Sequence, residues 1–353
     1  MTVDLGEKIE APTARANIAA KRRIRAGVVG AGLMGRWHAH ALEKAGGEVV
    51  GFADFTAAKA KGLAAKYPMA RAFDDAEKML AGQNLDVMHV CSPTGSHEAI
   101  AETAIEAGVH LLIEKPLAAT AERTSRLYDL AARRNSLLCP VHQFAFQDGA
   151  AKAKKQLLKI GRLVHLEANI CSAGGAGLDA AQIDSTAVDI LPHPLSVMQK
   201  FLEKDITTAG WDVAHPAAGE LRIFGQIEET SLSIFISLNS RPTTNTFRIY
   251  GTNGTIHLDF FHGFSIIEPG GASRAKKILH PFDLAARSFS AATVNLARRT
   301  ARRESAYPGL RQLIEEFYKS IKQKSKPPIT SSEAVAVAEI RDLVMNRINN
   351  RKQ

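Results

Sequence analysis

The run Gly30-Ala31-Gly32-Leu33-Met34-Gly35 ends the apolar, β-branched segment Ile24–Gly30 and opens a helical stretch near Met34–Ala45. Three glycines at that spacing, between a strand and a helix, leave the chain few options. It must turn tightly, bring backbone close to a ligand, and pack the helix onto the strand. The helix N-terminus created there offers unpaired N–H groups and the positive end of a dipole to a pyrophosphate. Asp54 closes the second apolar run nineteen residues after Gly35, where a carboxylate accepts hydrogen bonds from an adenosine ribose. Phe55 follows it, with no arginine to meet a 2′-phosphate, so the pattern favours NAD and keeps NADP as the alternative.

Short apolar runs continue to alternate with helical stretches: Glu48–Asp54 then Ala57–Lys66, Asp86–Ser92 then His97–Ala107, His110–Glu114 then Ala121–Arg134, and finally Ser136–Val141. Strands that read as continuous apolar runs, each followed by about three helical turns, predict a parallel sheet covered on both faces. After Gln147 the pattern changes. A helix over Gly149–Lys159, a strand over Leu163–Ile170, a helix around Val188–Phe201, and strands Leu221–Gln226, Ser231–Leu238, Thr246–Tyr250 and Thr255–Asp259 predict an α+β domain with a mostly antiparallel sheet. The predicted fold class is therefore α/β, a doubly wound Rossmann domain over 24–147 followed by an α+β domain over 148–353, with a mobile arm over 1–23.

Composition bounds the function. With 353 residues, 45% hydrophobic and 23% charged, the chain has material for two cores. Its three cysteines are too few for a disulfide framework, no apolar run nears the roughly 20 residues that span a bilayer, and Met1–Glu10 carries acids where a signal peptide is apolar. These features predict a cytoplasmic protein. The net charge of +9 is local, because residues 272–326 hold thirteen basic side chains against four acidic ones. A nucleic-acid partner would call for a broader basic surface, so none is expected. No metal site is expected either.

Three further groups of residues carry chemistry. Ser92-Pro93-Thr94-Gly95-Ser96-His97 leaves a strand through a turn into a helix with Ser96 as its expected cap. Glu114-Lys115-Pro116 ends the run His110–Ile113, delivering a lysine to the crevice at the strand ends, where it suits a substrate hydroxyl. Asp189 and His193, spaced i, i+4, share one face if Val188–Phe201 is a single helix, and an imidazole beside a carboxylate is the usual composition of a general base. The flanking Pro192 and Pro194 interrupt a regular helix.

In this order, Gly30-x-Gly32-x-Met34-Gly35-x-x-His38, Ser92-Pro93-x-x-x-His97, Glu114-Lys115-Pro116 and Asp189-x-x-x-His193 resemble the glucose-fructose oxidoreductase / inositol dehydrogenase / MocA family. The resemblance runs over nearly the whole chain from Ile24, including Gly251-x-x-Gly254-x-Ile256. It implies hydride transfer between NAD(P) and a secondary alcohol or ketone of a sugar, nucleotide sugar or cyclitol, in a homo-oligomer, dimer or tetramer, whose open C-terminal sheet packs against another subunit. It further implies that Gly30, Gly32, Leu33, Met34, Gly35, Asp54, Ser92, Pro93, Thr94, His97, Glu114 and Lys115 face the cofactor. Lys115 would orient the reacting oxygen, His193 would be the acid/base, and Asp189 would contact the substrate or the histidine.

Two departures stand out. Leu191-Pro192-His193-Pro194 replaces the small residues that many relatives carry around the histidine, and Val141-His142-Gln143-Phe144 stands where an Asn and Arg are common, so His142 and Gln143 are expected to take over that substrate surface. An NAD-dependent glycosidase and a non-catalytic dinucleotide sensor stay open as alternatives. Finally, from Phe282 to Arg303 apolar side chains recur every three and four residues with arginines mostly opposite. That pattern suits either a helix resting on an anionic membrane or an exposed helix or subunit arm with a solvated arginine face.

Overall fold

A computed structural model describes residues 22–271, 273–302 and 307–350. The expected arm falls almost entirely outside the described residues.

The first layer is a six-stranded parallel sheet, β1 (Ile24–Val29), β2 (Gly47–Ala53), β3 (Arg71–Phe73), β4 (Val87–Val90), β5 (His110–Ile113) and β6 (Leu138–Pro140), in the order β3-β2-β1-β4-β5-β6. Its helices are α1 (Leu33–Lys44), α2 (Ala57–Ala64), α3 (Ala76–Gly82), α4 (His97–Glu106) and α5 (Ala121–Arg133). β1 and β4 are buried on both faces, which is why they read as unbroken apolar runs. The order reverses between β1 and β4, and in such sheets the ligand crevice lies at the strand ends beside that reversal. The short β3 and α3 carry too little periodicity to be read from sequence.

The second layer contains α6 (Asp148–Gln156), β7 (Leu163–Cys171), α7 (Ala180–Val188), α8 (Pro192–Leu202) and strands β8 (Asp212–Ala214), β9 (Glu220–Ile227), β10 (Thr230–Ser237), β11 (Thr244–Gly251), β12 (Gly254–Asp259) and β13 (Phe264–Pro269). Its seven-stranded sheet runs β13-β12-β11-β7-β10-β9-β8, antiparallel except for the β7–β10 pair. Buried and more exposed positions alternate along β7 and β12, so one face packs on helices and the other stays open. The chain ends with α9 (Arg274–Arg302), α10 (Leu310–Gln323) and α11 (Ser331–Asn350). The last two helices return to the first sheet. Phe317 of α10 shares a core with Leu42 of α1, and Asp342 of α11 accepts the Ala121 N–H at the start of α5 across 2.7 Å. No described helix is long and apolar enough to cross a membrane.

One expectation fails. Val188–Phe201 is two helices, because α7 ends at Val188 and α8 begins at Pro192, with Asp189-Ile190-Leu191 as the turn between them. The prolines explain the break: first-turn N–H groups have no partner within a helix, so Pro192 and Pro194 are tolerated at a helix start and not inside one.

Candidate active site

The glycine turn is built by contact. Gly30 has φ +93, and a Cβ there would sit 2.6 Å from the carbonyl oxygen of Cys91. A Cβ on Gly35 would lie 1.8 Å from the Gly30 oxygen, so the helix can meet the turn only through a glycine. Gly32 is different, since a Cβ there meets nothing within 4 Å. It caps α1 with no side-chain hydrogen bond to the first turn, leaving N–H groups turned toward open space beside the half-exposed Leu33 and Met34.

Asp54 is oriented by backbone. Its Oδ2 accepts the Ala31 N–H and its Oδ1 the Thr56 N–H, both across 2.8 Å. Together with Gly30, Ser92 and Pro93 it lines a cavity of about 540 Å³, and Thr94 opens the single turn that follows. The open space at Gly32, the aimed carboxylate and this cavity fit the pyrophosphate and adenosine ribose of a dinucleotide.

His97 and Ser96 depart from expectation. The His97 ring is buried with both nitrogens against backbone carbonyls, Nδ1 2.9 Å from Pro116 and Nε2 2.8 Å from Ser92. It therefore joins the two loops that carry Ser92 and Lys115 and has no free nitrogen for a cofactor. Ser96 does not cap α4, because its hydroxyl bonds to Ser92 Oγ and the Pro93 carbonyl instead.

At the other end of the crevice the two layers meet. Lys115 donates from Nζ to the carbonyl of Asp189 across 3.0 Å. Its neighbour Glu114 turns inward, with Oε1 3.1 Å from His38 Nε2; His38 in turn meets His89, whose Nε2 lies 2.8 Å from the Tyr318 hydroxyl. His193 is buried in the first turn of α8, stacked on Phe144 with ring centroids 4.1 Å apart, and its Nδ1 has no hydrogen-bond partner. His142 Nδ1 and Gln143 Oε1 are likewise buried without partners. Burial pushes the His193 imidazole well below its ordinary range, with the Lys115 cation and His142 adding to it. Burial and then Lys115 push His142 down to about 3. Both rings are thus neutral bases beside one ammonium.

The sequence pairing of Asp189 with His193 takes another form. Asp189 lies in the turn before α8, and its carboxylate binds Arg341 of α11, Nη2 to Oδ1 3.1 Å. The same guanidinium reaches the Ala119 carbonyl from Nη1 across 3.0 Å. Sequence reasoning missed Arg341, Phe144, His38, His89 and Tyr318. Only the His38 of the glycine motif left a local signal.

A doubly wound sheet with this glycine turn, and a lysine in electrostatic reach of a buried imidazole at its strand ends, form a candidate dinucleotide site with a candidate acid/base beside it. Residues 24–142, about a third of the chain, match the family model described as "Oxidoreductase family, NAD-binding Rossmann fold", so the first layer is similar to the NAD-binding domain of that family. UDP-N-acetylglucosamine 3-dehydrogenase from Acidithiobacillus ferrooxidans is 37% identical over 119 residues, which are 34% of this chain and 37% of that protein. Inositol 2-dehydrogenase from Acidothermus cellulolyticus is 26% identical over 258 residues, 68% of this chain and 74% of that one. The chain thus spans well under half of the first relative and about three quarters of the second. Levoglucosan dehydrogenase, solved as a complex with NADH and levoglucosan, superposes with a TM-score of 0.76 at 17% identity over 93% of this chain and 98% of that one, a likeness of fold.

Proposed function

We propose that the protein is a dehydrogenase that passes a hydride between NAD(P) and a secondary alcohol or ketone of a sugar, nucleotide sugar or cyclitol. The observation that carries this reading is the buried, neutral His193, its Nδ1 unpartnered, in the field of the Lys115 ammonium. When bound, the nicotinamide supplies the hydride acceptor or donor. Gly30, Gly32, Gly35 and Asp54 hold the dinucleotide, and Lys115 points from the end of β5 toward the reacting oxygen.

In the oxidative direction His193 takes the hydroxyl proton while the carbon gives up hydride, and the Lys115 ammonium stabilises the developing alkoxide. In the reverse direction the protonated imidazole returns that proton. A base kept neutral by burial is ready for the first of these roles at neutral pH. Asp189 acts through its carbonyl, which steadies Lys115, while its carboxylate is held by Arg341. His142 and Gln143 offer unpartnered buried polar atoms to substrate hydroxyls. The sheet's open face is the surface through which we expect the chain to form a homo-oligomer.

Denaturing the purified protein, identifying any released dinucleotide by mass, and then screening nucleotide sugars and inositols at the nicotinamide absorbance tests the reading. Substrate-dependent change in NADH supports it. Turnover of a glycoside without net change in NADH would favour a glycosidase of the same fold instead.

A further inference from the structure

Behind Lys115 lies a chain of four side chains from four parts of the fold. Glu114 follows β5, His38 is on α1, His89 on β4 and Tyr318 on α10. The two histidines are fully buried and Tyr318 nearly so. Each ring nitrogen has one partner: His38 Nε2 lies 3.1 Å from Glu114 Oε1, the two Nδ1 atoms lie 2.9 Å apart, and His89 Nε2 lies 2.8 Å from the Tyr318 hydroxyl. Where the hydrogens sit follows from that hydroxyl. Burial pushes the Tyr318 phenol well above its ordinary range, so it keeps its hydrogen, and among the described residues its hydrogen-bond partner is His89. A buried hydroxyl hydrogen without an acceptor is costly, so it goes to His89 Nε2. Burial keeps the His89 ring neutral, which leaves its single hydrogen for Nδ1. That hydrogen meets His38 Nδ1, which must then be bare, and His38 carries its own on Nε2, facing the Glu114 carboxylate. Every bond therefore points one way, from Tyr318 to His89 to His38 to Glu114.

The chain ends on the lysine. Glu114 Oε2, the oxygen that His38 leaves over, accepts the Lys115 backbone N–H across 3.2 Å, and the ammonium of the same lysine donates to the Asp189 carbonyl. Both carboxylate oxygens are thus held by donors. A chain with a single direction passes a break at one end to the other, because a ring that changes tautomer forces its neighbour to change. If His89 moves its hydrogen to Nε2, His38 needs one on Nδ1, and its bare Nε2 then faces the Glu114 carboxylate, lone pair against lone pair. We propose that His89 and Tyr318 are positioning residues for Lys115: acting through His38 they fix the Glu114 carboxylate, which in turn fixes the Lys115 backbone. The role rests on Lys115 meeting the reacting oxygen, as proposed above.

Nitrogen NMR of the imidazole rings in the full wild-type chain, without substrate, reads the direction. At neutral pH His38 should carry hydrogen on Nε2 alone and His89 on Nδ1 alone. The reverse tautomers, or a doubly protonated His38, overturn the proposal. Tyr318→Phe keeps the ring and removes the hydrogen that sets the chain. With whichever alcohol the wild type oxidises, kcat should fall roughly tenfold while KM and NADH affinity stay within a few-fold, a split that a purely structural role would not produce. Glu114→Gln offers His38 either an oxygen or an amide hydrogen, so direction ceases to matter there, and adding Tyr318→Phe should lower kcat no further. A Tyr318→Phe protein with wild-type kcat, or losses that multiply in the double variant, overturns the positioning role. If the wild type oxidises no sugar or cyclitol, the function proposed above falls; in that case, or if Tyr318→Phe does not fold, the wild-type ring nitrogens decide the chain by themselves.

Discussion

The ammonium of Lys115 donates to the backbone carbonyl of Asp189 across 3.0 Å, joining the end of β5 in the first layer to the turn that launches α8 in the second. Through this bond Lys115 and the helix that carries His193 are positioned together. The acceptor is a neutral backbone carbonyl, not a carboxylate, so the bond positions the lysine without pairing it to an anion.

Replacing Lys115 by Met removes that cation and keeps the volume. Turnover should fall at least about 100-fold while NADH binding, measured by fluorescence titration, stays within a few-fold of wild type. Undiminished biological activity of this variant would point to a dinucleotide sensor.

His89, His142 and His193 are all held below the ordinary imidazole range, in each case chiefly by burial. The unfolded chain protonates such groups near pH 6.5, so below that pH it takes up protons the folded state refuses. Stability should therefore be complete above about pH 6.5 and decline as the pH falls toward the folded values, by up to roughly 1.4 kcal/mol per pH unit for each histidine. Urea denaturation at pH 7 and pH 5 measures the loss. His142→Gln should make the decline shallower, and an unchanged slope in that variant contradicts the assignment.

Gly32 and Gly35 predict opposite failures. Gly35→Ala forces a methyl group against the Gly30 oxygen and should cost several kcal/mol of stability or abolish folding. Gly32→Ala adds a methyl to open space, so melting should be nearly unchanged while NADH affinity drops, because the methyl occupies the approach to the helix N-terminus. Paired thermal melts and titrations separate the two, and a Gly32→Ala protein that binds NADH normally would place the pyrophosphate elsewhere.

Arg341→Met should lower kcat by about tenfold through misplacement of Asp189 and Lys115, with little change in NADH affinity. Arg341→Lys should restore part of it, since one ammonium can still meet the carboxylate but cannot also hold the Ala119 carbonyl. A loss of folding without this split in the kinetics would make the guanidinium structural only.

Much of the fold is legible in the residues. The glycine turn, Asp54 and the alternation of apolar runs with helices depend on contacts within a single strand-turn-helix unit, where backbone periodicity turns spacing into geometry. The same periodicity misleads at Asp189 and His193. Their four-residue spacing suggests one helical face, yet the prolines that complicate the pattern start a new helix, and a turn separates the pair. His97 shows a further limit: its position in a motif is readable, but only packing shows both ring nitrogens facing backbone carbonyls.

By itself, then, the order of residues determined the doubly wound sheet, the dinucleotide turn and the presence of Lys115 and His193, because each rests on local backbone geometry or on a run of neighbouring residues. Tertiary structure alone decided that Lys115 meets the carbonyl of Asp189, that Arg341 from the last helix claims its carboxylate, and that Phe144 stacks on His193. Those contacts join segments far apart in the chain, and their distances are set by how two sheets and their helices pack, which spacing along the chain does not encode.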